Sequence, residues 1–230
     1  MLLLGIDTSG KTASVAVYDT SKELFLAQTS VYTKMTHSQV ILPLCKEMLQ
    51  KANLTLNDID EIAVAAGPGS YTGLRIGISA VKAMCFGLSC KCNGVSTLLA
   101  MAYSNIAYKG NICAIMSARN DLVYTAVFKS DGYSVECIEE EKIISHSELA
   151  EMLAFMGTET LLCGDGSAEF FMKYQSPLLV MAPPHLRLQN ASGVCLAATC
   201  MESISPSELE ARYLQKVKAE KDLENKYKES

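Results

Sequence analysis

Two stretches of this chain carry the same succession of hydrophobic patterns, and that succession limits the fold more than any single motif does. In the first stretch, residues 2–6 read as a buried strand. Residues 13–18 alternate small or polar with apolar side chains as a second strand, and 23–31 read as a third. A helical pattern follows over 38–52, with Ile41, Leu44, Cys45, Met48 and Ala52 on one face. A short apolar strand over 62–66 is broken by Gly67-Pro68-Gly69, and a long helix runs over 70–88. A brief strand (93–95) and a helix (97–108) close this stretch. In the second, strands are expected over 112–117, 122–128 and 133–139, separated by Arg119-Asn120-Asp121 and Asp131-Gly132. A helix over 147–155 and a strand over 161–163 follow. Both halves share the order β-β-β-α-β-α without obvious identity of residues.

This order predicts an α/β, actin-like (ASKHA, ribonuclease H-like) fold of duplicated β-β-β-α-β-α lobes, a class in which two lobes enclose a nucleotide cleft. The expected divisions are an N-terminal lobe over 1–108, a C-terminal lobe over 109–206 and a charged tail over 207–230. From Glu208 onward acidic and basic residues mix almost equally with few large apolar ones, which predicts a solvated, fraying helix.

Composition excludes several function classes. With 49% hydrophobic residues in 230, the chain can bury a substantial core and is not a disordered segment. Its formal charge of −5 and pI near 5.3 oppose autonomous nucleic-acid binding, whose affinity comes largely from phosphate neutralisation by Lys and Arg. Nine Cys without any Cys-x-x-Cys fit reduced thiols in a cytosol, and Cys90-x-Cys92 alone is a poor metal site. The opening MLLLGIDTSGK lacks a basic region and a small-residue cleavage site, and no apolar run reaches membrane-spanning length, so a cytoplasmic location is expected.

The stretch Gly5 to Thr12 satisfies the phosphate-loop pattern G-x-x-x-x-G-K-[ST]. That chemistry needs a helix after the loop, whose N-terminus aims backbone N–H groups at phosphate. Here a strand follows, so the segment is read as a hairpin turn with Lys11 solvated. Gly69-Ser70 lies at a strand-to-helix turn, but Pro68 occupies the first glycine position of G-x-S-x-G, and Ser70 is better explained as a helix N-cap. Gly67, Gly69 and Gly73 miss the dinucleotide fingerprint by one residue. His37, His146 and His185 are scattered in sequence. No catalytic residue and no metal ligand are therefore assigned. Asp7, at the end of the first strand, and Gly164-Asp165-Gly166, after the strand over 161–163, are candidates for a vestigial nucleotide cleft. No cofactor is expected, with weak nucleotide binding left open.

The most distinctive stretch is AVAAGPGSYTGLRIGISAVKAMCFGL. Together with GIDTS, SVAVYD, THSQVILPLCKEML and Gly94-Val95-Ser96-Thr97, it resembles the TsaB (YeaZ) family of tRNA threonylcarbamoyladenosine biosynthesis proteins. The resemblance is looser in the second half, through LLCGDGS and Ala211-Arg212-Tyr213-Leu214. It implies an actin-like fold and a non-catalytic scaffold or activator subunit of the bacterial complex that modifies adenosine 37 of tRNA. Such a subunit pairs with TsaD and recruits TsaE, and meets tRNA only through the complex. In the catalytic paralogue a His-x-x-x-His pair follows the Gly-Val and puts two imidazoles on one helix face. The corresponding positions here are Thr97 and Met101, neither a replacement ligand. An independent nucleotide-binding or ATP-hydrolysing enzyme is the alternative, and a glycoprotease-like peptidase the weakest.

Over 70–88 the only charged residues are Arg75 and Lys82, so this helix is apolar nearly all round and needs a cover on its second face. The resemblance implies a partner there. The expected interface is Tyr71, Leu74, Arg75, Ile78 and Lys82, with Ile41 and Met48 of the 38–52 helix, and Ile78→Asp is the expected disruptor. A homodimer through the same helices is compatible. The competing reading covers both faces within the chain, by the sheet and the preceding helix.

Overall fold

The computed structural model of the protein describes residues 1–32 and 35–214. The N-terminal lobe comprises β1 (Leu2–Asp7), β2 (Thr12–Asp19), β3 (Leu24–Tyr32), α1 (His37–Lys51), β4 (Glu61–Gly67), α2 (Tyr71–Leu88), β5 (Lys91–Ser96) and α3 (Thr97–Ser104). The C-terminal lobe follows with β6 (Gly110–Ser117), β7 (Leu122–Ser130), β8 (Val135–Ser145), α4 (His146–Met156), β9 (Thr160–Cys163), α5 (Ser167–Lys173) and β10 (Leu179–Met181). The short α6 (Pro184–Arg187) and α7 (Ala191–Ala198) come last. The sheets have the orders β3-β2-β1-β4-β5 and β8-β7-β6-β9-β10. In both, the first three strands are antiparallel and the later two run parallel to the first. The fold is the actin-like duplication of β-β-β-α-β-α lobes.

Strand periodicity sorts the side chains into five layers. On β1 and β4, Leu4, Ile6, Ile62 and Val64 point toward α1 and α2, whereas Leu3, Ala63 and Ala65 point toward α7 and α3. On β6, Ile112, Ala114 and Met116 meet the opposite side of α3, whereas Cys113 and Ile115 meet α4 and α5. Helices α3 and α7 thus form a central layer that both lobes share. Small residues make that layer thin: a Cβ on Gly5 would come within 2.5 Å of Cys195 Sγ.

Three elements depart from the sequence reading. Residues 191–198 (ASGVCLAA) carry only Val194 and Leu196 among larger apolar side chains, too few to mark a period, yet form α7, which lies on the first sheet, although the division at 109–206 assigned them to the second lobe. Residues 208–214 are not helical: Leu209 is fully buried on the α1–α2 side of the first sheet, and Arg212 N–H donates to Ala66 O at 2.7 Å. The rest of the expected tail helix, 215–230, lies outside the described residues. Strand β8 extends to Ser145, because register shifts near Val127 let β7 keep pairing with it.

The helix α2 lies on the β1–β2 turn through its glycines. A Cβ on Gly73 would overlap the Thr8 carbonyl oxygen, and one on Gly77 the Thr8 hydroxyl, whereas Gly87 has nothing within 4 Å. Gly73→Ala should therefore lower stability by about 2 kcal/mol or more, through strain in backbone that cannot yield. Gly87→Ala, at the open end of the same helix, should raise it by roughly 0.5–1 kcal/mol from helix propensity. Urea denaturation of the two variants checks both signs.

Candidate functional site

A cleft of about 680 Å³ opens between the lobes. One wall is the β1–β2 turn, Ser9 to Lys11, with Gly69, Ser70 and the first turn of α2. The other is the β6–β7 turn, Ser117 to Arg119, with Tyr124 and Asp165. Equivalent turns of the two duplicated lobes thus face each other. The first wall is stapled: Ser70 N–H donates to Ser9 O at 2.7 Å, Thr8 Oγ1 donates to Gly73 O at 2.7 Å, and Ser70 Oγ caps α2 by accepting from Gly73 N–H.

Of the four residues expected in a nucleotide cleft, Asp165 lines it. Its carboxylate accepts from the Gln189 amide at 3.3 Å and the Ser117 N–H at 3.4 Å, and burial raises its pKa. Asp7 lies beneath the wall with no exposed surface. Its Oδ1 accepts from Ser9 N–H at 2.8 Å and Ser9 Oγ at 2.6 Å, and its Oδ2 has no hydrogen-bond partner. Burial pushes its pKa up to about 6 against the opposing pull of the Ser9 hydrogen bonds and His37. Gly164 and Gly166 are structural: Gly164 has φ +96°, and Gly166 N–H donates to Ile115 O at 3.1 Å. Sealed under Ser9, the Asp7 carboxylate does not line the cleft. Lys11 and Arg119, one on each wall, supply cationic lips; Arg119, Tyr124 and Tyr213 had no sequence signal placing them at the cleft.

The helix-face expectation needs correction. Leu74, Ile78, Ile41 and Met48 are buried against the first sheet in the protein's own core, because the Leu74, Ile78, Val81 and Cys85 stripe of α2 and the Ile41, Cys45 and Met48 stripe of α1 both face it. Lys82 is half-buried, and Tyr71 and Arg75 are exposed. The outward face of α2 is instead Thr72, Arg75, Ser79, Ala83 and Phe86, beside Ser38, Leu42 and Lys46 of α1. Leu42 is 50% exposed and Phe86 64%. A groove of about 650 Å³ runs between the helices, lined by Leu42, Tyr71, Arg75, Ile76, Ser79 and Ala80 among others. Tyr71 lines both groove and cleft. Arg75 sits 4.0 Å over its ring and donates from Nε to the Tyr213 hydroxyl at 3.2 Å, while the two tyrosine rings lie 5.1 Å apart. The Ala211-Arg212-Tyr213-Leu214 segment, which carried only the family resemblance, supplies the tyrosine of this lock.

The positions that a paired-imidazole metal site would use are filled by core side chains. Thr97 and Met101 are 0% and 1% exposed in α3, between the two sheets. Among the described residues no cluster of three or more His, Cys, Asp or Glu is arranged to hold a metal. His37 Nε2 lies 2.8 Å from Gly10 O, and His146 Nδ1 lies 3.1 Å from Asp121 Oδ1.

Comparison with known proteins places this geometry. The family described as TsaD, tRNA N6-adenosine threonylcarbamoyltransferase, matches residues 31–221. The tRNA threonylcarbamoyladenosine biosynthesis protein TsaB of Bacillus subtilis (strain 168) is 30% identical, over 70% of this chain and 73% of its own length. TsaB of Escherichia coli (strain K12) is also 30% identical, over 72% of each. The chain belongs to the TsaB family. YeaZ from Pseudomonas aeruginosa superposes with a TM-score of 0.79 at 24% identity, covering 93% of this chain and 99% of that one, so the two share the fold. Membership ties this TsaB-family protein to threonylcarbamoyladenosine biosynthesis and to the TsaD-type proteins its sequence also matches. No helix among its described residues is long and apolar enough to cross a membrane.

The buried Asp7 gives this TsaB-family protein a measurable pH signature. Its native pKa lies above the unfolded one, so the folded state holds the proton more tightly, and stability falls as pH rises from the ordinary carboxylate value of 3.8 to about 6. The full loss is about 3 kcal/mol. Asp7→Asn keeps the acceptor for Ser9 and carries no charge. It should be more stable than wild type at neutral pH and equal to it near pH 4, in urea titrations across that range.

Proposed function

We propose that the protein is the non-catalytic scaffold or activator subunit of the bacterial complex that synthesises N6-threonylcarbamoyladenosine at tRNA position 37. It pairs with a TsaD-type threonylcarbamoyltransferase, recruits TsaE, and reaches tRNA only through the complex. The observation that carries this reading is the outward face of α1 and α2, where Leu42 and Phe86 stand exposed beside the small residues Ser79, Ala80 and Ala83. Small side chains let a partner helix approach closely, and exposed large apolar ones supply its anchors. Two features support the non-catalytic part: Thr97 and Met101 are packed as core, and the net charge of −5 leaves tRNA affinity to another subunit. Because TsaD-type proteins are related in sequence, one patch serves both a heterodimer and a homodimer of the free chain.

Light-scattering chromatography of the chain alone and mixed with its organism's TsaD tests the reading. Co-elution is expected. Leu42→Glu changes an exposed residue, so it should keep the fold while weakening the complex by about 2 kcal/mol, roughly thirtyfold in Kd. Ile78→Asp would instead place a carboxylate in the core, and its effect on binding could not be separated from unfolding. A wild-type chain that ignores TsaD ends the scaffold reading. Anion or nucleotide binding between Lys11 and Arg119 is then the function to test, by calorimetric titration with ATP.

A further inference from the structure

Three thiols crowd the C-terminal end of α2, away from the cleft. Cys85 is fully buried in the last turn of the helix. The helix ends at Ser89 in the left-handed conformation, φ 56°, and both the Ser89 and the Cys90 N–H groups donate to the Cys85 carbonyl, the latter at 3.2 Å. In this kind of turn the residue after the left-handed one folds back over the residue five positions earlier, which brings their side chains to the same side of the turn. The turn therefore brings Cys90 over Cys85, whose own thiol donates to the Lys91 carbonyl oxygen at 3.7 Å. From the other side β5 presents Cys92, fully buried, whose thiol donates to the Ile204 carbonyl oxygen at 3.8 Å. Cys85 and Cys92 are sealed in the core, while Cys90 is half-buried and opens the cluster to solvent.

We propose that Cys85 and Cys90 form an oxidisable pair, in which Cys90 reacts with a peroxide and Cys85 closes a disulfide. The Cys90 thiolate attacks a peroxide oxygen and the O–O bond breaks. The sulfur becomes a sulfenic acid, oxidised by two electrons, and the peroxide is reduced to hydroxide. The Cys85 sulfur then displaces the hydroxyl from Cys90 Sγ: the S–S bond forms, the S–O bond breaks, and the Cys85 proton leaves in water. Two thiols and one hydrogen peroxide give one disulfide and two waters. Burial, reinforced by the neighbouring thiols, holds the Cys85 thiol far above its ordinary pKa, so it does not meet the oxidant alone. Contact across the turn supplies the proximity that the second step needs. The bond pins the turn that follows Phe86 and Gly87, at one end of the outward face of α2.

The exposed Cys137 and Cys200 are internal controls. They lie away from this turn, their sulfurs against the Glu139 carbonyl oxygen and the Tyr103 and Thr199 hydroxyls. The test treats the native full-length protein with hydrogen peroxide, alkylates remaining thiols in denaturant and maps tryptic peptides by mass spectrometry. Cleavage after Lys82 and Lys91 leaves Cys85 and Cys90 in one peptide and Cys92 in the next. The expected product is peptide 83–91 lighter by two hydrogens and unalkylated, with two of the nine thiols lost to alkylation and recovered on reduction. In Cys85→Ser, Cys90 should instead accumulate as a sulfenic acid captured by dimedone, in a protein whose circular dichroism matches wild type. Native Cys90 that stops at a sulfenic or sulfinic acid overturns the proposal. So does a bond that joins Cys85 to Cys92 across two peptides.

Discussion

Thr8 and Ser9 lie directly on the backbone of α2 because Gly69, Gly73 and Gly77 present no Cβ there, and two hydrogen bonds of 2.7 Å hold the turn to the helix. This contact fixes the rotation of α2 about its own axis. With the glycine stripe on the turn and Leu74, Ile78, Val81 and Cys85 on the sheet, the residues left to face outward are Thr72, Arg75, Ser79, Ala83 and Phe86. It also sets the cleft wall, since the Ser9 that receives the Ser70 N–H is the residue whose own N–H and hydroxyl hold Asp7 beneath it. One close approach thus positions the outward face of α2, the cleft and the buried carboxylate together.

The second constraint is the shared central layer. Helices α3 and α7 pack on the first sheet through small side chains, and α3 presents Leu98, Met101 and Ala102 to the second. The lobes are tied again where Ser96 Oγ donates to the Glu141 carboxylate of β8 and where the Asn105 amide donates to the Leu186 carbonyl oxygen of α6 at 3.1 Å. The chain after α7 then returns across the N-terminal lobe. Ile204 bridges to Cys92, Leu209 is buried, and Tyr213 locks Arg75. Burying a leucine of this kind contributes roughly 1.5–3 kcal/mol, enough to hold a non-helical segment in place.

Strand and helix order was legible because both lobes obey periods of 2 and 3.6 wherever large apolar residues alternate with others. Where large apolar side chains are sparse the period disappears, and α7, built from ASGVCLAA with only Val194 and Leu196 to mark a face, left no trace of either its type or its place on the first sheet. The helix α2 failed for the opposite reason. Apolar residues on nearly every side indicated that both faces were covered but not which face met what, so Leu74 and Ile78 were read as outward when the glycine stripe turns them inward. Asp7 and Asp165 were legible as carboxylates at strand ends. Their difference was not, since Ser9 seals one and Gln189 and Ser117 hold the other at the cleft.

The fold also bears on where chemistry can reside. Two imidazoles one helical turn apart serve a metal only if both reach a space that a substrate shares. At Thr97 and Met101 this chain has side chains packed between two sheets, with the Thr97 hydroxyl lacking a hydrogen-bond partner and Met101 filling the core against the second lobe. Restoring the imidazoles alone would place two polar rings in a dry layer, where unpaired polar groups cost more than they stabilise. The N-terminal part of α3 is thus committed to holding the lobes together. What the lobes then hold toward solvent is the α1–α2 face, with Leu42 and Phe86 exposed on it.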